Sequence, residues 1–186
     1  VLGLGSQIRA HITKRFSMPW SSPAARMREF ILAMRAIWDN WHEGKALEFA
    51  GKFYTHTLMT PFFTPSGNDF GAPKVFLAAV GPKMTEVAGE VADGMIVHAF
   101  TTEKYLRETT LPSLEKGFAK AGKTRADFEI SYPVFVCTGQ TEEELEEAKR
   151  ATAQQIAFYG STPAYKPVLD SIGVGELQGD LNSMSK

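Results

Sequence analysis

From residue 75 the chain reads "VFLAAVGPKMTEVAGEVADGMIVHAF": an apolar run, a Gly81-Pro82 turn, a short amphipathic stretch, then a second apolar run at Met95-Ile96-Val97. Runs this short and this rich in apolar residues, bounded by turn residues, predict buried strands, and the stretch between them has helical spacing. The pattern predicts a strand over 75–79, a helix over 82–92 and a strand over 94–98. The same rhythm recurs on either side. "VLGLGSQ" predicts a strand entering a Gly-containing loop, and from Ser22 the apolar positions Met27, Phe30, Ile31, Met34, Ile37, Trp38 and Trp41 fall at helical intervals. Ser22 is the expected cap and Pro23 the expected first helical residue.

Downstream, residues 102–121 predict a further helix, with Pro112 either kinking it or starting its second half. "FEISYPVFVCTG" predicts a fourth strand. "TEEELEEAKRATAQQIAFYG" follows it as a helix with a Thr141 cap, an acidic first turn and basic Lys149-Arg150. A last short helix is expected before Gly173. Only residues 44–74 break the alternation. "ALEFAGKFYTHTL" predicts a small hairpin turning at Gly51, and "TPFFTPSGNDFGAPK" predicts a long loop, of the kind that covers an active site, forms an interface or simply packs on the surface.

Dense apolar strands joined by amphipathic helices imply an α/β fold with a parallel sheet buried on both faces. Two architectures fit, a doubly wound open sheet and a segment of a (β/α)8 barrel. Four strands cannot close a barrel, which takes roughly 250 residues. The chain has 186 residues, enough for one domain over 1–186. Its first residue already belongs to an apolar run and its last residues lack an obvious cap, so an interior portion of a longer protein is expected. Such a portion would expose two unpaired strand edges and would aggregate or dimerise.

Charge narrows the choice of partners. With 20 Lys and Arg against 21 Asp and Glu, the chain has no general attraction for nucleic acid or acidic membranes. A lone cysteine, Cys137, excludes an internal disulfide and a multi-cysteine metal site, and suits a reducing cytoplasm. No apolar run reaches the roughly 18 residues of a membrane span.

In either architecture ligands gather at the C-terminal ends of the strands. Four such ends are expected: Gly5-Ser6-Gln7, Ala79-Val80-Gly81-Pro82, His98-Ala99-Phe100-Thr101 and Thr138-Gly139-Gln140. They carry small residues, hydroxyls, amides and one imidazole, and neither a carboxylate pair nor a metal-ligand cluster. The Ala-Ala-Val-Gly-Pro turn lets a flat ring or a phosphate approach the backbone at a helix N-terminus, or it only turns a strand into a helix. His98 at a strand end can donate to a ligand or hold a structural bond. His11, in a loop with Arg9, is within reach of a ligand or solvated. Gly-x-Gly in "LGLGSQ" lacks the third glycine of a dinucleotide fingerprint.

Taken together, "VLGLGSQ", "AARMREFILAMRAIW", "FAGKFYTHT", "PKVFLAAVGPKMTEVAGEVADGMIVH" and "TLPSLEKGFAKAGKTRADFEIS" resemble bacterial luciferase-like flavin oxidoreductases, closest to the branch using the deazaflavin coenzyme F-420. The resemblance covers nearly the whole chain. It implies strands four to seven of a (β/α)8 TIM barrel, with an insertion over 44–74 after strand four. It also implies a cofactor at the barrel mouth, touched by Ser6, Gln7, Ala78, Ala79, Val80 and Gly81. Val80 stands where family members often have glycine. His98, Thr101 and His11 are expected near the substrate or the cofactor tail. The implied activity is hydride transfer between coenzyme F-420 and a small organic substrate, with FMN-dependent monooxygenation as the alternative, in a protein that forms a homodimer at full length. No catalytic residue carries over, because the family's proton-handling groups lie on earlier strands. Two readings of other classes stay open: a non-catalytic structural or partner subunit, and an open α/β ligand-binding module.

Overall fold

A computed structural model describes residues 1–184. Four parallel strands, β1 (Leu2–Leu4), β4 (Val75–Ala79), β5 (Gly94–Val97) and β6 (Glu129–Ser131), form one sheet in the order β1-β4-β5-β6. A two-stranded antiparallel hairpin, β2 (Phe49–Ala50) and β3 (Thr55–His56), stands apart from it. The parallel sheet with intervening helices is the α/β arrangement of a (β/α)8 barrel in part, with β1 and β6 as its edge strands.

Register decides what each face carries. Leu4, Leu77, Met95 and Ile130 form one row across the sheet, and Gly3, Phe76, Gly94 and Glu129 form the next, facing the other way. The first face meets α1 (Pro23–Glu43), α2 (Pro82–Val91) and α4 (Leu111–Ala121). There Val75, Leu77, Ala79, Met95 and Val97 pack with Ile31, Val87, Ala88, Val91, Leu114 and Phe118. The second face is largely bare: Gly3, Gly5, Ala78, Glu129 and Ser131 are exposed, and Phe76 is buried by lying across Gly94, where a methyl group would come within 2.6 Å of its ring. In this part of the barrel the helix-covered face is buried and the other face is open.

The helix layer is tight because glycines allow it. A β-carbon on Gly89 would sit 2.5 Å from the Leu114 carbonyl oxygen, and one on Gly117 would overlap the Glu86 carbonyl. Arg28 on α1 donates to Glu90 on α2 at 2.6 Å. At the N-terminal edge of the sheet, Asp93 Oδ2 accepts from the Val75 N–H and from Arg35, both at 2.8 Å. Lys123 Nζ closes the end of α2 by donating to the Glu90 and Ala92 carbonyls.

Several local expectations change. Ser22 makes no capping bond and sits in the left-handed region at φ 41°, while Pro23 does open α1. The helix over 102–121 is broken into α3 (Glu103–Tyr105), a π-helical turn over Leu106–Thr110, and α4, so Pro112 falls in the first turn of the second half. The wider turn accommodates the proline's missing N–H and its ring. The fourth strand ends at Ser131, and Thr138-Gly139-Gln140 is no strand end. Pro133 cannot donate to a ladder, and Val134 and Val136 beyond it are 66% and 71% exposed. Thr141 does cap α5 (Glu142–Gly160), accepting from the Glu144 N–H at 3.2 Å. The chain closes with α6 (Lys166–Ser171) and α7 (Leu177–Met184). Among the described residues no helix is long and apolar enough to cross a membrane.

Candidate functional site

Because β1, β4 and β5 are parallel neighbours, their C-terminal ends bring Ser6, Gln7, Ala78–Gly81 and His98 to one edge of the sheet. They do not share one environment there. Ala78 is exposed on the bare face beside Gly5, whereas Ala79 points into the helix-covered core. Gly5 and Ala78 thus leave a short strip of backbone with almost no side chain above it, bordered by Ile96 beside Gly3, a surface that a planar ring can approach closely. Gln7 sits at φ 58°, so the chain turns sharply as it leaves β1. The Ser6 hydroxyl donates to the Gln7 carbonyl at 3.3 Å.

Val80, His98 and Thr101 belong to a second region. Phe100, Tyr105, Val168 and Leu169 form a small buried cluster, and Val80, Tyr159 and Tyr165 pack against it. The Tyr105 hydroxyl donates to the Val80 carbonyl at 3.2 Å. His98 is half-buried between aromatic rings: its ring meets Tyr159 edge-on at 4.7 Å and Tyr165 at 4.8 Å. Its Nδ1 accepts from the Phe100 N–H at 3.1 Å, which leaves the proton on Nε2 in the neutral ring. Burial pushes its pKa below the usual histidine value. Thr101 is buried, and its carbonyl accepts from the Tyr132 hydroxyl. His11 lies on a π-helical turn over His11–Arg15 and is half-buried.

A concavity at this edge was not visible in the sequence pattern. A cavity of about 390 Å³ opens at the end of β1 and is lined by Gly5, Ser6, Ile12, Trp20, Arg26, Phe30 and Tyr54, among others. One wall comes from the β2–β3 hairpin, whose backbone is bonded to α1 through one carboxylate. Glu29 accepts from the N–H groups of Lys52, Phe53 and Tyr54, at 3.0, 2.5 and 2.7 Å. Three successive N–H groups around an anion form a nest. Burial alone would raise the Glu29 pKa, but these donors and the Arg26 charge outweigh it and hold the carboxyl below its ordinary value. Gly51 is therefore needed for space, since any β-carbon there would collide with the Glu29 carboxylate. At the far end of α1 a second cavity, about 220 Å³, lies between Trp38, Trp41, His42 and the loop at 65–73. The Trp41 indole N–H is shielded and has no partner, yet its nitrogen exposes no surface to that space.

A family model described as luciferase-like monooxygenase matches residues 1–178. The chain belongs to the luciferase-like monooxygenase family. An uncharacterized protein of Mycobacterium tuberculosis is 54% identical over all of this chain and 55% of its own length. The 5,10-methylenetetrahydromethanopterin reductase of Archaeoglobus fulgidus is 29% identical across 95% of this chain and 48% of that protein. Among solved structures, the coenzyme F420 dependent tetrahydromethanopterin reductase from Methanopyrus kandleri superposes with a TM-score of 0.69 at 20% identity, over 94% of this chain and 50% of its own. That likeness confirms the partial barrel as the fold of this luciferase-like chain. The chain spans about half the length of the curated relatives it matches.

Proposed function

We propose that this luciferase-like chain supplies four strands of the barrel of a coenzyme F420-dependent oxidoreductase that moves a hydride between the deazaflavin and a small organic substrate. One observation carries the reading. The sheet offers a strip of bare backbone at Gly5 and Ala78, at its C-terminal edge, where barrel proteins bind their ligands. The structural neighbour from Methanopyrus kandleri, which depends on coenzyme F420, supports the choice of cofactor. Bound there, F420 supplies or accepts a hydride, and the protein supplies orientation and electrostatics.

The chain's own residues have separable tasks. Gly5 and Ala78 admit the flat ring, Ser6 and Gln7 present a hydroxyl and an amide at its border, and Gly81 opens the helix behind it. Val80, His98 and Thr101 hold the neighbouring wall through their aromatic and hydrogen-bonded contacts, so their contribution is positional. His11 is placed on the loop that follows Ser6. The protein acts in the cytoplasm as a homodimer in its whole form, on a small molecule rather than on nucleic acid or a membrane.

Titrating the protein with coenzyme F420 and separately with FMN, following fluorescence, tests the assignment. Saturable binding of F420 and weak or absent binding of FMN is the expected result. Preference for FMN would move the reading to a monooxygenase. Binding of neither, with a stable companion chain recovered instead, would move it to a partner subunit.

A further inference from the structure

The cavity at the end of β1 has an unusual balance of chemistry. Ile12, Pro19, Trp20, Met27, Phe30 and Tyr54 make its walls apolar and aromatic, and Arg26 is the only charged residue lining it. That guanidinium is held in place but not neutralised. Its Cζ lies over the Phe53 ring, 4.6 Å from the centroid, and one of its N–H groups donates to Ser21 Oγ at 3.0 Å. A guanidinium has five donors. No carboxylate lies within ion-pairing distance of Arg26 among the described residues. Glu29, whose charge Arg26 does feel, commits both carboxylate oxygens to the backbone of residues 52–54. A half-buried cation with unspent donors in an apolar pocket calls for an anion from outside.

We propose that this cavity is the substrate pocket and that it takes a largely apolar, preferably aromatic, organic carboxylate whose acid group pairs with Arg26. The proposal rests on the oxidoreductase reading above and names its substrate class. The volume, about 390 Å³, falls in the range of small-molecule sites. Ser6 lines the pocket and also stands at the border of the proposed cofactor strip, so a molecule filling the pocket lies beside the ring it must exchange a hydride with. A phosphate ester fits less well. A dianion asks for several cations and donors, and here one guanidinium and two serine hydroxyls face eight apolar or aromatic side chains. The guanidinium fork suits one carboxylate.

The test is calorimetric titration of the protein with 2-naphthoate and with its neutral counterpart, 2-naphthalenemethanol, in the presence and absence of coenzyme F420. The acid is expected to bind at least about tenfold more tightly than the alcohol, since a buried charge-assisted pair contributes about that much. Arg26→Gln should bring the two ligands to similar affinity, and Arg26→Lys should keep part of the preference. Fluorescence titration of Arg26→Gln with F420 should stay within about twofold of the parent, and an unchanged circular dichroism melt shows that the variant is folded. Equal binding of acid and alcohol, no binding of the acid, or an acid preference surviving in Arg26→Gln would each overturn the proposal. An Arg26-dependent acid preference without any F420 binding would leave the pocket standing and remove the oxidoreductase reading. F420 binding without acid preference would do the reverse.

Discussion

The two faces of the sheet are made of the same strands and differ in almost everything else. The face carrying Val75, Leu77, Ala79, Met95 and Val97 is sealed by three helices, and each of these side chains is buried. The face carrying Gly3, Gly5, Ala78 and Ser131 has few side chains large enough to seal anything and leaves these residues exposed. Alternation along a strand makes this possible: residues one apart serve opposite purposes, and the second purpose calls for small residues. Stability resides on the covered face and at the N-terminal edge, whereas the candidate site occupies the bare face and the C-terminal edge. Mutations chosen by face should therefore separate folding from binding.

The largest effect is expected in the helix layer. Gly117→Ala places a methyl group onto the Glu86 carbonyl and near the Glu90 nitrogen, so α2 and α4 must move apart. Overpacking of a close helix contact costs about 3 kcal/mol. Chemical denaturation should show this as a lower midpoint at unchanged slope. A value under about 1 kcal/mol would mean that the helices are not locked by this contact. Next comes Asp93→Ala at the N-terminal edge, which leaves the Val75 N–H without its acceptor and Arg35 with the Val91 carbonyl alone. Losing the carboxylate should cost about 2 kcal/mol and leave ligand binding untouched. If F420 affinity fell with stability, the two edges would not be separable as argued.

These sites also show what a linear reading can reach. Strand β4, helix α2 and strand β5 were legible almost to the residue, because each signal, the apolar runs and the Gly81-Pro82 turn, lies within its own element. The Thr141 cap was legible for the same reason. The end of β6 was not: Val134-Phe135-Val136 has the composition of a strand, but Pro133 interrupts the ladder and no neighbouring strand follows it among the described residues. The Glu29 nest joins residues 23 to 25 apart, and the charge left on Arg26 is a consequence of that nest. Nothing local to either residue announces it. His98 was correctly placed at a strand end, and its aromatic cage comes from helices more than sixty positions later in the chain, a distance at which periodicity carries no information.

A smaller effect, and one that depends on pH, is expected from His98. Its pKa is depressed in the folded protein by burial, so the unfolded chain binds a proton more readily. Stability should then be fully present above the ordinary histidine pKa, near 6.5, and should decline as pH falls below it toward the depressed folded value. Replacing His98 with Phe removes the titrating group while keeping an aromatic ring between Tyr159 and Tyr165. Thermal melts between pH 5 and 8 should show a steeper loss at the acid end in the parent than in His98→Phe. Parallel curves would show that the cage tolerates the imidazolium. Glu29 acts with the same sign at lower pH: its depressed carboxyl should hold the hairpin until the pH falls below the ordinary carboxylate range.

The smallest stability effect should come from the bare face, and it is the sharpest test of the comparison. Ala78 is exposed although it lies in the middle of the sheet, between Leu77 and Ala79, which are both buried. Ala78→Leu adds a branched side chain where nothing packs, so unfolding free energy should change by less than about 0.5 kcal/mol. The same side chain would stand on the strip proposed for the deazaflavin ring and would hold it away from the backbone. F420 affinity should therefore fall at least about tenfold while the denaturation curve stays in place. Leu77→Ala, one residue away, should do the opposite, destabilising by about 3 kcal/mol through the cavity it leaves in the covered core. Leu77 and Ala78 are adjacent in sequence and opposite in facing, so no explanation based on the strand as a whole predicts that inversion. If both variants moved stability and binding together, the division of labour between the faces would be wrong, and with it the seat assigned to the cofactor.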